Sequence, residues 1–78
     1  MTMRESHALL KEMRETGCVP MFKSKLGTKV HAKLRGKFVN FVGFGAWACK
    51  NTFFDFYIFV QDYTLVERKP SDHYEWGL

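Results

Sequence analysis

Acidic residues are missing from the whole middle of this 78-residue chain, and cysteine, proline and long apolar runs are scarce throughout. Two cysteines, Cys18 and Cys49, are too few for a disulfide scaffold. No run of 18 or more apolar residues occurs, which excludes a sequence-evident membrane helix; the most apolar stretch, Phe53 to Val60, is short and contains Asp55. There is no apolar leader with a small-residue cleavage site, so the expectation is a cytoplasmic protein with two reduced thiols. Repeats, low-complexity tracts and linkers are also lacking, so residues 1–78 read as a single domain.

The charge that is present is unevenly spread. Residues 1–15 balance Arg4, Lys11 and Arg14 against Glu5, Glu12 and Glu15. Residues 16–54 hold no Asp or Glu and seven cations: Lys23, Lys25, Lys29, Lys33, Arg35, Lys37 and Lys50. Residues 55–78 return a net −3 through Asp55, Asp62, Glu67, Asp72 and Glu75 against Arg68 and Lys69. A concentrated cationic segment points to an anionic partner, unless the acidic C-terminal third folds against it. Aromatic residues, eight of them Phe, supply the bulk from which so short a chain can build a core.

The local pattern predicts an α+β domain. Thr2 with Glu5 three residues later is a capping box, and Leu9, Leu10 and Met13, with Met3 upstream, mark the apolar side of a helix over about 3–16. Gly17 stops that helix and Pro20 prevents its resumption. Cys18 to Phe22 is expected to be extended, and Ser24 to Gly27 to turn. Thr28 to Leu34 alternates as a half-buried strand, and Arg35-Gly36 turns into a second strand, Lys37–Phe44. Gly43 to Asn51 reads as a loop, Thr52 to Gln61 as the most hydrophobic strand, and Tyr63 to Arg68 as the last, with a tail over 69–78. Val30, Ala32, Leu34, Phe54, Phe56, Ile58 and Val60 are the expected interior. The architecture predicted is the N-terminal helix packed on a curled antiparallel β-meander over about 19–68, or on a small SH3-like or OB-like barrel.

Motifs for chemistry do not hold up. Gly43-Phe-Gly-Ala-Trp-Ala48 matches the loose pattern G-x-G-x-x-A, but no helix fits before the next strand, so the glycines are assigned to a sharp loop or bulge. Cys18, Cys49, His7, His31 and His73 show no metal-ligand spacing, and no cofactor or metal is expected. Cys49 beside Lys50 has no evident base, so an enzyme is not expected. Asp55, set in an aromatic stretch, is expected to pair with a lysine of a neighbouring strand.

One constellation carries a mechanism. Lys29, His31, Lys33 and Arg35 alternate on one strand face, about 6.8 Å apart, a spacing that suits the phosphates of an extended nucleic-acid strand. Lys37 and Lys50 extend the basic set. Phe41, Trp47, Tyr57 and Phe59 are the aromatics expected to stack on bases. The expected function is a small nucleic-acid-binding module. The alternative is a protein-binding accessory module or homodimer, using exposed Phe and Trp and the acidic aromatic tail with Asp72, Tyr74, Glu75 and Trp76.

Overall fold

In the computed structural model, which describes residues 1–43 and 45–70, the chain runs α1 (Met3–Thr16), β1 (Val19–Lys23), β2 (Lys29–Arg35), β3 (Phe38–Gly43), β4 (Gly45–Lys50), α2 (Phe53–Val60) and β5 (Thr64–Lys69). The expected tail beyond residue 70, with its acidic and aromatic side chains, lies outside the described residues. So does the expected last residue of the second strand, Phe44.

Helix α1 forms where the caps predict it. The Thr2 hydroxyl accepts from the Glu5 N–H at 3.1 Å, while the Glu5 carboxylate accepts from the Thr2 N–H at 2.9 Å. At the other end Gly17 adopts a left-handed φ of 71° and donates its N–H to the Met13 carbonyl. The buried stripe is Ser6, Leu9, Leu10 and Met13; Met3, expected on it, is 46% exposed. Ser6 is admitted to the interior because its hydroxyl donates to the Met3 carbonyl.

The five strands form one antiparallel sheet in the order β4-β3-β2-β1-β5. Strands β1 to β4 are a meander of consecutive hairpins, and the chain then crosses through α2 to add β5 beside β1. The sheet is open, with β4 and β5 as its edges, so of the two architectures expected the meander is the one formed. Pro20 fits inside β1 because the β1–β2 pairing begins only at Met21. The β3–β4 hairpin turns between Gly43 and Gly45, which face each other across the ladder. Gly45 has φ of 102°, and a Cβ on Gly43 would lie 2.5 Å from the Lys29 carbonyl oxygen of β2. These are the glycines of the G-x-G pattern: close strand approach explains Gly43, and the positive φ explains Gly45.

Two expectations fail here. Residues 45–50, read as loop, are strand β4, because small residues around Trp47 pair as well as branched ones when a hairpin partner fixes them. Residues 53–60, read as strand, are helix α2. Phe56 and Val60, four apart, are buried, whereas Phe54 at 65% and Ile58 at 44% exposure are outside, not in the core as expected. An almost wholly apolar run satisfies a period of 2 and a period of 3.6 equally, so alternation carried no information there.

Both helices cover the same face of the sheet. The core joins Leu9, Leu10 and Met13 of α1 and Phe56 and Val60 of α2 to Phe22, Val30, Ala32, Val39, Phe41 and Cys49, with Leu34 packed at its margin. The Met1 ammonium donates to the carbonyls of Gln61 and Tyr63 at 2.9 and 2.8 Å, tying the start of α1 to the exit of α2. At the opposite end the Arg14 guanidinium lies 4.5 Å from the centre of the Phe53 ring.

Candidate nucleic-acid interface

Strand parity sets which side chains face away from the helices. In β2, Val30 and Ala32 point into the core, so Lys29, His31, Lys33 and Arg35 share the opposite, open face. In β3 the inward pair is Val39 and Phe41, which leaves Phe38, Asn40 and Val42 on the open face. In β4, Cys49 and Trp47 lean inward and Ala46, Ala48 and Lys50 lie outward. The register places Phe38 directly opposite Arg35 on one side and Lys50 on the other. Cation, aromatic ring and cation thus stand in one row across three strands, about 5 Å between neighbours.

Two ion pairs occur among the described residues, Arg68 with Glu12 at 2.8 Å and Lys69 with Glu67 at 3.6 Å. Neither engages Lys29, Arg35, Lys37 or Lys50. Towards β1 and β5 the face changes character: Met21, opposite both His31 and Glu67, is buried, and so is Val19 opposite Lys69. Partial burial holds the His31 imidazole below its ordinary pKa, with Lys69 acting in the same direction, Glu67 against it and Lys29 again with it. The exposed cationic area is therefore centred on β2, β3 and β4.

The positions expected from sequence divide cleanly. Lys29, His31, Lys33, Arg35 and Lys50 come together on the open face, and Lys37 sits in the β2–β3 turn beside them. The aromatics expected beside them do not. Phe41 is 2% exposed and stacks within the core on Phe56 and Phe59, at ring-centre distances of 6.2 and 5.2 Å. Trp47 stacks on Phe41 at 6.0 Å with its ring nearly parallel, again on the helix side. Tyr57 belongs to α2 and so to the covered layer, and Phe59 packs against the core. None of the four lies on the cationic face. Among the described residues the exposed aromatic ring there is Phe38, at 51%. Counting parity outward from the buried Val39 would have found it.

Beside Phe38 the β2–β3 turn is braced. Asn51 donates its backbone N–H to the Lys37 carbonyl at 2.8 Å and its side-chain amide to the Gly36 carbonyl at 3.2 Å. Arg14 of α1 in turn donates to the Asn51 side-chain and backbone oxygens at 3.0 and 2.7 Å. Gly36, with φ of 57°, permits the tight turn.

The remaining reactive groups are occupied or quiet. Asp55 makes no lysine pair among the described residues; its carboxylate accepts from the Thr52 hydroxyl at 3.0 Å as part of the α2 cap. Burial, reinforced by Asp55, pushes the Cys49 thiol up to about 11, which leaves it protonated and unreactive at neutral pH. Burial also raises the Cys18 thiol; its Sγ lies 3.5 Å from the Glu12 carboxylate. Along the groove between α1 and β5, Glu5 serves the α1 cap and Arg68 is paired with Glu12. Among the described residues, no three of His, Cys, Asp and Glu converge as metal ligands, and no helix is long and apolar enough to cross a membrane.

The molecule is thus a two-layer α+β domain with helices on one sheet face and a cationic, partly aromatic surface on the other. No protein-family model, curated protein or solved structure matches the chain.

Proposed function

We propose that this protein is a small nucleic-acid-binding module that uses the open face of its sheet, not an enzyme. The observation that carries the reading is the row Arg35–Phe38–Lys50, with Lys29 and Lys37 adjoining, on a face that neither helix covers and where these cations have no carboxylate partner among the described residues. Cations so placed release counterions when they meet phosphates, and an exposed ring among them offers a base something to stack on. The protonated Cys49 thiol argues in the same direction, since it offers no activated nucleophile. Titrating labelled mixed oligonucleotides tests the proposal. Four phosphate contacts imply a slope of log K against log salt of about −3. Absence of binding at low salt would end it.

A protein-binding reading is favoured by a separate feature, the β4 edge. Among the described residues that strand pairs only with β3; it runs without a bulge from Gly45 to Lys50 and carries one charge, while Phe54 and Ile58 stand exposed on α2, which packs beside it. The other edge is guarded: a register shift interrupts its pairing with β1 between Met21 and Phe22, and Glu67, Arg68 and Lys69 follow. Strand addition at β4 by a protein partner would be lost in Ala48→Pro, while oligonucleotide binding would be retained.

A further inference from the structure

At one end of its cationic row the open face meets a concavity. Next to Phe38, the residues Gly36, Lys37, Lys50, Asn51 and Thr52 complete an open cleft of about 460 Å³, with no carboxylate among the described residues that line it. The walls are held in place: Asn51 fixes the turn carbonyls of Gly36 and Lys37, and Arg14 fixes Asn51 from the helix layer. The same ring also borders a second cleft, at the β4 edge beside α2, with Ala48, Cys49, Lys50, Ile58 and Phe59; the carboxylate of Asp55 in that lining is engaged by Thr52. Phe38 is therefore a half-exposed ring with a cation paired on each side and a braced recess beside it.

Resting on the reading that the open face binds nucleic acid, we propose that this cleft is a subsite for a single-stranded nucleotide. One base stacks on Phe38 while neighbouring phosphates lie on Arg35, Lys37 and Lys50. The ligand class follows from the combination. The cations alone suit any polyanion, and a duplex satisfies them with its backbone while keeping its bases stacked inside. A ring placed among cations gains nothing from a duplex. It gains from an unpaired base, whose flat surface replaces water over the ring. Sequence preference is expected to be weak, because every base offers such a surface.

The test compares Phe38→Ala, Phe38→Trp and the double variant Lys37→Glu/Lys50→Glu with the parent protein, using fluorescence anisotropy. The probes are a labelled oligo(dT) of about twelve nucleotides, within the usual site sizes for single-strand binders, and a duplex of equal length. Thermal unfolding of each variant checks that the fold is retained, as expected for half-exposed positions. Phe38→Ala should weaken oligo(dT) binding roughly tenfold, leave duplex binding unchanged and leave the salt slope unchanged. Phe38→Trp should restore single-strand binding. The charge-reversal variant should weaken both probes and flatten the slope by about two contacts. If the parent binds oligo(dT) and Phe38→Ala binds it equally well, the subsite falls and the broader reading of the face stands. If the parent binds neither probe, the broader reading falls and the subsite with it.

Discussion

The two faces of the sheet are built from the same strands yet do opposite work. On the covered face Phe22, Phe41 and Phe56 meet ring to ring at 6.2–6.3 Å, and Val30, Ala32 and Val39 fill between them under both helices. On the open face the neighbouring residues of the same strands, Lys29, His31, Lys33, Arg35 and Phe38, carry charge and one exposed ring. Phe41 and Phe38 differ by three positions, hence by face, and that alone makes one a core residue and the other a candidate contact. An aromatic near a basic strand says little about ligand stacking until its parity is known.

Several measurements would break or sharpen this contrast. The largest effect is expected from Phe56→Ala, which deletes a fully buried ring from the covered face and should cost about 3–5 kcal/mol in denaturant unfolding. In a domain of this size that is a large share of the total stability. An unchanged midpoint would mean that α2 is misplaced. Thr2→Ala, which removes the hydroxyl from the α1 capping box, should cost about 1 kcal/mol by the same assay.

A pH experiment probes the covered face in a different way. The Cys49 thiol is raised from 9.0 to about 11 in the folded state, so the fold holds that proton more tightly than the unfolded chain does. Its contribution should be fully present below about pH 9 and be lost as pH rises towards 11. The difference in stability between the parent and Cys49→Ala should shrink over that interval; a constant difference would place the thiol in solvent. On the open face the sign is reversed. His31 is lowered, so the fold favours its neutral form, and acidification below the ordinary histidine range should weaken the fold slightly. The smallest effect on stability is expected from Arg35→Glu, within about 0.5 kcal/mol, since an exposed strand charge contributes little. Its effect on oligonucleotide binding should be large. A variant that unfolds instead would make Arg35 part of the scaffold.

How far these features were legible in the sequence varied with how local their cause is. Helix α1 was readable to the residue because its signals lie within a few positions of one another: Thr2 with Glu5 at one end, Gly17 at the other and a narrow apolar stripe between. The β2 strand and its cationic face were readable because polar and apolar residues alternate without ambiguity. Helix α2 was misread although Thr52 and Asp55 form its cap, because eight consecutive residues with one charge have no polar side to reveal a period. Strand β4 was misread because Gly, Ala and Trp have no shared propensity; the ladder from Phe38–Lys50 to Gly43–Gly45 holds it.

The sequence by itself determined a short basic α+β domain, the first helix, the alternating strand and the gathering of positive charge into the middle of the chain. These depend on neighbours in the chain, through caps, alternation and composition. Only the tertiary structure decided that both helices lie on one face, that Phe41, Trp47 and Tyr57 are drawn to that side, and that Phe38 is left among cations on the other. The reason is that an apolar side chain gains by burial against whatever surface is available, and which surface that is depends on partners tens of residues away.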